Sequence, residues 1–460
     1  MIILFVTILL IGYFLITTER YTNINKAAVA IFVGTLGWIV YICYGTDFVM
    51  EHHQGEYLNF LNGEVPTSVN VKYFISQHIF IKYVGKASEI ALFLLSTMTI
   101  VEILQNNGCF DFISQLLRTR SSKKMLWVLS LITFLISANL DNLTTTVMML
   151  TIMHRVVVKQ RQRMLFGCAI VISANCGGAL TVIGAPTGLA IWNMGAVSAT
   201  NYSMSVAIPC LIAWLLPIAW IGTLMPRHVE IDNVSLPYRG DDTNLNVWQR
   251  LLMLFVGIGG LWFIPTFHNL TKLSPFVGAL CVVGILWIVN EIMNRRLLGT
   301  DEMIHRRIPR VLQYGVIQMI LFVIGIMLTV GVVYEMGICD SLSKFFSIYM
   351  SDLWSIGMLT QILSSILDNF ATAITMISMH GGAFAENLVE TMDGSSCGDS
   401  FWKIISYASS VGGNILCVGS MSGLALMKME RVHFVWYMRN VGCVALLAST
   451  IGLTLMYIIL

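Results

Sequence analysis

Charge is scarce in this 460-residue chain: 11% of residues are Asp, Glu, Lys or Arg, against 56% hydrophobic residues and a mean hydropathy of +0.77. So little polar surface cannot cover a water-soluble globule of this size, which leaves an all-α polytopic membrane protein. The net charge of +2 is carried by residues segregated along the chain, which excludes a nucleic-acid surface. The ten cysteines lack paired or metal-ligand spacing. Most of them, such as Cys168, Cys176, Cys210, Cys281 and Cys443, lie in apolar runs and read as small buried hydrophobes, so no cofactor site is expected from them. The first 17 residues lack a basic opening and a small-residue cleavage site, ending instead in Thr17-Thr18-Glu19-Arg20. They read as a retained helix rather than a signal peptide.

What is present is a series of apolar runs of roughly 17 to 25 residues, each long enough to span hydrocarbon as a helix. They fall near 1–17, 27–45, 86–105, 205–224, 248–267, 275–292, 311–333 and 440–460, and two longer runs near 164–195 and 401–429 are interrupted by glycine. Strand alternation is absent, so a barrel is excluded. Basic residues then orient the chain. Arg118, Arg120, Lys123 and Lys124 precede 125–154, while Arg155, Lys159, Arg161 and Arg163 follow it. Both ends of that segment therefore face the cytoplasm, and its length suits two half-helices of a re-entrant hairpin turning at Asn139-Leu140-Asp141-Asn142. Arg295, Arg296, Arg306, Arg307 and Arg310 place 293–310 in the cytoplasm. The stretch 381–400 carries Glu386, Glu390, Asp393 and Asp399 without Lys or Arg, so a second hairpin near 353–380 opens outside. By the same count 46–85 is external, and 46–70 is too polar to span.

The two hairpins share a motif, Ser137-Ala138-Asn139-Leu140-Asp141-Asn142 and Ser364-Ser365-Ile366-Leu367-Asp368-Asn369, offset by 227 residues. Gly177-Gly178 with Gly184, Gly188 and Met194 matches Gly412-Gly413 with Gly419, Gly423 and Met429 at an offset of 235. Gly108 to Asp111 matches Gly337 to Asp340 at 229. Three matches in one order, with hairpins entering from opposite faces, predict two inverted-topology repeats, a transporter architecture. The expected organisation is an N-terminal helix and short loop over 1–26, a first repeat over 27–224, a connecting loop with an extra helix over 225–274, and a second repeat over 275–460.

Two carboxylates inside apolar runs are functional candidates by default. Around Asp141 stand Asn142, Thr144 and Thr145; around Asp368 stand Asn369, Thr372 and Thr375. Carboxylate, amide and hydroxyl oxygens are hard ligands suited to sodium or lithium. Helix capping is the plain alternative for both aspartates, and the two roles are compatible. Glycine beside Asn175 and Thr181 in one interrupted run, and beside Ser410 and Asn414 in the other, predicts unwinding at Gly177, Gly178, Gly412 and Gly413, freeing carbonyls for an ion. The alternative is that these glycines only permit close packing. Glu102 is a possible proton relay or a helix-end residue, as is Glu89, and His154 reads as interfacial. An intramembrane aspartyl protease also needs two membrane aspartates, but it needs them close together; here they sit on hairpins of opposite orientation, without a Gly-x-Gly-Asp context. The chain is therefore read as a carrier and not an enzyme, and the broken helices favour alternating access over a channel.

The tract Ser137 to Thr146, Ser173-Ala174-Asn175 with Gly184-Ala185-Pro186-Thr187-Gly188, and Leu367-Asp368-Asn369 followed by Thr372 resemble the NhaD-type sodium/proton antiporters of the ion transporter superfamily, over nearly the whole chain from about residue 27. That resemblance implies exchange of cytoplasmic sodium or lithium for external protons at Asp141, Asp368 or both. It further implies a scaffold with a moving transport domain and a homodimer in the bacterial cytoplasmic membrane, with lipid and monovalent cations as partners. The second repeat departs from the first, having Ser420-Met421-Ser422-Gly423 opposite Ala185-Pro186-Thr187-Gly188. The superfamily also contains anion carriers, including dicarboxylate symporters and arsenite exporters. Two aspartates at the hairpin tips, and no Arg or Lys evident within the core, speak against them.

Overall fold

The computed structural model describes residues 2–22, 24–117, 119, 121–229, 245–294, 315–339, 341–342, 352–381 and 397–460. Arg118, Arg120, Arg295, Arg296, Arg306, Arg307, Arg310, Asp340, Glu386, Glu390 and Asp393 lie outside them. The described residues are helical, and the only strand-like pairing among them is an isolated bridge between Ser121 and His228.

In chain order the helices are α1 (Ile2–Thr17), α2 (Lys26–Cys43), α3 (Gly45–His52), α4 (Gln54–Leu61) and α5 (Ser68–Asn106). There follow α6 (Ser122–Ser137), α7 (Asn142–Val156), α8 (Gln160–Leu180), α9 (Pro186–Asn193) and α10 (Ala199–Leu224). Next come α11 (Val247–Thr271), α12 (Pro275–Met293), α13 (Gly315–Glu335), α14 (Leu353–Ile366) and α15 (Asn369–Gly381). The last are α16 (Cys397–Gly412), α17 (Met421–Glu430) and α18 (Phe434–Ile459). Eight helices of the described residues are long and apolar enough to cross a membrane.

Local chemistry sets these boundaries. Asn25 caps α2 by accepting from the Ala27 amide, and Thr67 caps α5 by accepting from Asn70. Asn246 and Gln249 form a reciprocal capping box at the start of α11. Pro186 and Pro275 occupy the first turns of α9 and α12, where a missing amide proton costs nothing. Gly108 and Gly337 both take left-handed backbone, at φ 67° and 69°, just beyond the ends of α5 and α13. The offset of 229 read in the sequence thus marks the same turn twice, each glycine donating three residues back, to Gln105 and Tyr334.

One expectation needs correction. The span expected to start near 86 begins at Ser68, and a π-helical turn over Ile75–Phe80 joins its parts. Val71, Phe74, Ile75, Ile79 and Tyr83 are buried at helical spacing, so one apolar face carries the helix through a stretch that Lys72 and Lys82 make look external. The polar stretch before it, read as too polar to span, holds the short helices α3 and α4.

The chain divides into two compact units. One comprises Met1–Ala91, Ile317–Ser351 and Ile374–Asp393; the other comprises Leu92–Val316, Asp352–Ala373 and Gly394–Leu460. Within the second unit α6 packs on α8 and α14 on α16, α10 runs against α18, and α17 lies against α7 and α8.

Candidate ion-binding site

The site residues lie within the second unit, which holds both hairpin turns and both interrupted helices. Four residues, 138–141, separate α6 from α7, and Asp141 caps α7: its Oδ2 accepts from the Leu143 and Thr144 amides at 3.0 and 3.1 Å. Thr144 Oγ1 donates to the same oxygen at 3.4 Å. Asp141 is 2% exposed, and its Oδ1 has no hydrogen-bond partner among the described residues. In the second hairpin Asp368 does the same work, its Oδ1 accepting from the Phe370 amide at 3.0 Å. The capping role weighed for both aspartates is therefore real, and at Asp141 it uses only half of the carboxylate.

One turn beyond each aspartate stands a buried threonine, Thr145 or Thr372. Neither hydroxyl has a partner among the described residues. An unpaired buried hydroxyl costs about 1–3 kcal/mol, and residues four apart share one helix face, so each hairpin presents a carboxylate and a hydroxyl together. Thr146 instead donates to the Asn142 carbonyl at 2.7 Å, within its own helix. The threonine tract thus divides its faces as helix geometry demands.

The glycines serve close approach more than unwinding. Gly177 and Gly178 remain inside α8, which opens only over residues 181–185; Gly412 ends α16, and Gly413 alone of the four lies in a break. A side chain at Gly177 would run into the Phe134 backbone, and one at Gly412 into that of Gln361, 227 residues on from Phe134. Gly184 and Gly419 stand in the same way against the carbonyls of Ser137 and Ser364. The hairpins therefore lie against the interrupted helices backbone to backbone, which small residues alone allow. Ser137 Oγ donates to the Ala174 carbonyl at 2.6 Å, and Ser364 Oγ donates to the matching carbonyl of Ser409.

Buried amides join the two halves. Asn142 Nδ2 donates to Asn175 Oδ1 at 3.1 Å, and Asn175 Nδ2 donates to Asn414 Oδ1 at 2.8 Å and to Ser420 Oγ at 3.1 Å. Asn369 Nδ2 donates to the Ser410 carbonyl at 3.3 Å, while the Ser410 and Thr187 hydroxyls lie 2.7 Å apart. Thr181 closes the first break, donating to the Ala138 carbonyl at 2.5 Å and accepting from the Gly184 amide at 3.0 Å. Asn142, Asn175, Asn369, Ser410 and Asn414 are thus tied into bonds that bridge the two hairpins and the two broken helices. Glu102 stands apart in its local contact: half-buried near the end of α5, it accepts from Asn106 at 3.5 Å.

Several residues escaped the sequence reading. Tyr202 and Tyr437, 235 apart, donate to the Ala179 and Asn414 carbonyls at 3.0 and 2.7 Å, filling acceptors that helix ends leave open. Their matched offset was the available signal. Glu430, 1% exposed, meets His154 Nδ1 at 2.7 Å and Arg163 Nε at 2.9 Å, which gives the half-exposed His154 a buried carboxylate partner. Lys403, 3% exposed in α16, corrects the reading that the core holds no cation; it is matched by Asp399 one turn earlier, at 2.5 Å.

Eight helices of spanning length among the described residues, with two helical hairpins and two interrupted helices, fit an integral, multi-pass membrane transporter, as the matches to known proteins bear out. The chain belongs to the family described as Citrate transporter (CitMHS), whose model matches residues 13–412. It is 29% identical over 449 residues to sodium/proton antiporter 2 of Arabidopsis thaliana, covering 96% of each chain. It is 24% identical over 430 residues to the Na+/H+ antiporter NhaD of Vibrio parahaemolyticus, covering 87% of this chain and 92% of that one. The YdaH transporter of Alcanivorax borkumensis has a similar fold, with a TM-score of 0.54 at 11% identity over 85% of this chain and 89% of its own. These matches bear out the resemblance to NhaD-type antiporters and to the ion transporter superfamily.

Proposed function

We propose that the protein exchanges sodium or lithium for protons, with Asp141 and Asp368 as the carboxylates for which the two cations compete. One observation carries the reading: the buried Asp141 Oδ1 and the Thr145 hydroxyl one turn on lack hydrogen-bond partners among the described residues. A desolvated cation supplies what both oxygens lack. A protonated carboxylate coordinates sodium poorly and a sodium-bound one resists protonation, so a cavity opened to one side at a time couples the two fluxes. The names borne by the Arabidopsis and Vibrio relatives support the same exchange.

The paired contacts at offsets of 227 and 235 support two repeats, which we take to be of opposite orientation, rocking in alternating access within a homodimer of the cytoplasmic membrane. The family description favours a second reading, citrate or dicarboxylate transport. Against it stands the charge at the hairpin tips, where two aspartates would repel a carboxylate.

The test uses proteoliposomes carrying a pH dye and an imposed sodium gradient. Asp141→Asn and Asp368→Asn keep the cap, since Asn and Asp cap comparably, but remove charge and titration. Each variant is expected to fold and to lose sodium-driven proton movement. Wild-type rates in both would remove the competition mechanism, and citrate-driven flux without a sodium response would move the assignment to an anion carrier.

A further inference from the structure

The first unit holds a buried acid that the exchange mechanism does not use. Glu335, at the C-terminal end of the apolar α13, is 4% exposed. Its Oε1 accepts from Tyr83 OH at 2.6 Å, and its Oε2 accepts from Tyr41 OH at 3.4 Å and lies 2.8 Å from His53 Nε2. The other ring nitrogen, His53 Nδ1, lies 3.4 Å from Glu56 Oε2. A neutral imidazole has a single N–H and can donate to one carboxylate; only the imidazolium donates to both. Glu56 is exposed and, with Asn59, His78 and Lys82, lines an open cavity of about 560 Å3. Glu56 and His53 thus stand in sequence between that cavity and Glu335. Further ionisable groups at the cluster among the described residues are Tyr334, which acts electrostatically on Tyr83, and His52, which stands against Gly337.

We propose that His53 and Glu335 form a proton-binding site, built from residues other than the hairpin aspartates, whose occupancy sets the rate of transport. The proposal rests on the exchange reading above for its transport consequence only. His53 joins α3 to α4, so its bond to Glu335 pins this pair of short helices to the end of α13 and, through Tyr83 and Tyr41, to α5 and α2. Loss of the ring proton leaves one carboxylate without its donor and loosens the pin.

The sign follows from the partners. The hydrogen bond to Glu335 holds His53 protonated above its ordinary value of 6.5, burial opposing and the Glu56 charge assisting. Stability from this contact is therefore complete below about pH 6.5 and disappears as pH rises through the raised value.

The experiment compares wild type with His53→Gln and Glu335→Gln, reading thermal unfolding of the detergent-solubilised chain from pH 5.5 to 9.5 on the order of half-unit steps, alongside sodium-driven proton movement in proteoliposomes. Both variants are expected to melt below wild type in acid, with the gap closing as pH rises. Both are expected to transport with a flattened pH profile across the same interval. A melting gap independent of pH would overturn the proton-binding site, whether or not exchange is observed. A gap that closes while the transport profiles stay identical would overturn the link to rate. Tyr83→Phe, which removes a neutral donor and no titrating group, is expected to lower melting equally at every pH.

Discussion

Replacing Tyr202 or Tyr437 by Phe removes one oxygen and leaves the ring in place. The Tyr437 hydroxyl donates to the Asn414 carbonyl at 2.7 Å, and the Tyr202 hydroxyl donates to the Ala179 carbonyl at 3.0 Å while lying 2.7 Å from Ser406 Oγ. Both rings are fully buried. Ala179 is within the last turn of α8 and Asn414 lies in the second break, so neither carbonyl is served by a helix ladder. Each substitution thus strands a buried acceptor, at about 1–3 kcal/mol. Tyr437→Phe belongs at the upper end, because no second donor to the Asn414 carbonyl is found among the described residues. Tyr202→Phe also deprives Ser406, whose hydroxyl can turn to a carbonyl of its own helix. Unfolding in mixed micelles measures both, and Tyr437→Phe is expected to slow exchange as well, since Asn414 also accepts from Asn175. Losses under about 0.5 kcal/mol, the range of inconsequential surface changes, would refute the view that these tyrosines cap the broken helices.

Gly178→Leu and Gly413→Leu are expected to abolish exchange, because a side chain there meets the Gly184 carbonyl and Asn142 in one case and Asn369 and Ser420 in the other; Gly188→Ala, with nearest neighbours at 3.1 Å or beyond, is expected to retain it, as flux assays would show. Glu430→Gln is expected to destabilise by about 3–5 kcal/mol, the usual consequence of breaking a buried ion pair, whereas His154→Gln should cost far less because His154 is 51% exposed; denaturation in micelles separates the two. Single cysteines at Ser121 and Gln160 in a cysteine-free background should both be labelled from the cytoplasmic side only, and labelling from opposite sides would turn the first hairpin into a crossing.

The breaks at the two aspartates were legible because hydrocarbon is an unforgiving solvent. An Asp-Asn pair within an apolar run needs a break, and the structure breaks at 138–141 and 367–368, beside the expected residues. The glycine clusters were legible in place, while their role stayed open between unwinding and close packing. Composition signals only that a residue is small, and at Gly177 and Gly178 smallness serves an approaching backbone while the helix continues to Leu180. Glu335 and Glu430 stayed hidden because their partners are far off in sequence: Tyr41 and Tyr83 in one case, His154 and Arg163 in the other. A lone glutamate at the end of an apolar run looks the same whether it faces water or, like Glu335, two buried tyrosines and a half-buried histidine.

The two halves are not chemically equivalent, and the difference bears on the proposed ion site. In the first break Pro186 starts α9, and Thr187 pairs with Ser410. In the second, Ser420 caps α17 by accepting from Gly423 and also accepts from Asn175. Asn175 corresponds to Ser410 at the 235 offset, and Ser422 to Thr187, yet the Ser422 hydroxyl has no hydrogen-bond partner among the described residues. The unpaired buried oxygens therefore include Asp141 Oδ1, Thr145 and Thr372 Oγ1 and Ser422 Oγ, a set rich in acceptors. The one Lys or Arg among the second unit's described residues that is nearly fully buried is Lys403, and it is matched by Asp399. A carboxylate substrate would enter a region whose one deeply buried Lys or Arg among the described residues is already answered by Asp399. Placing a second anion near Asp141 costs energy that falls only with separation or screening, whereas a monovalent cation is attracted by the same carboxylate and accepted by the same hydroxyls. The citrate transporter family thus lends this chain its architecture, and the oxygen chemistry of the hairpins points to the cation.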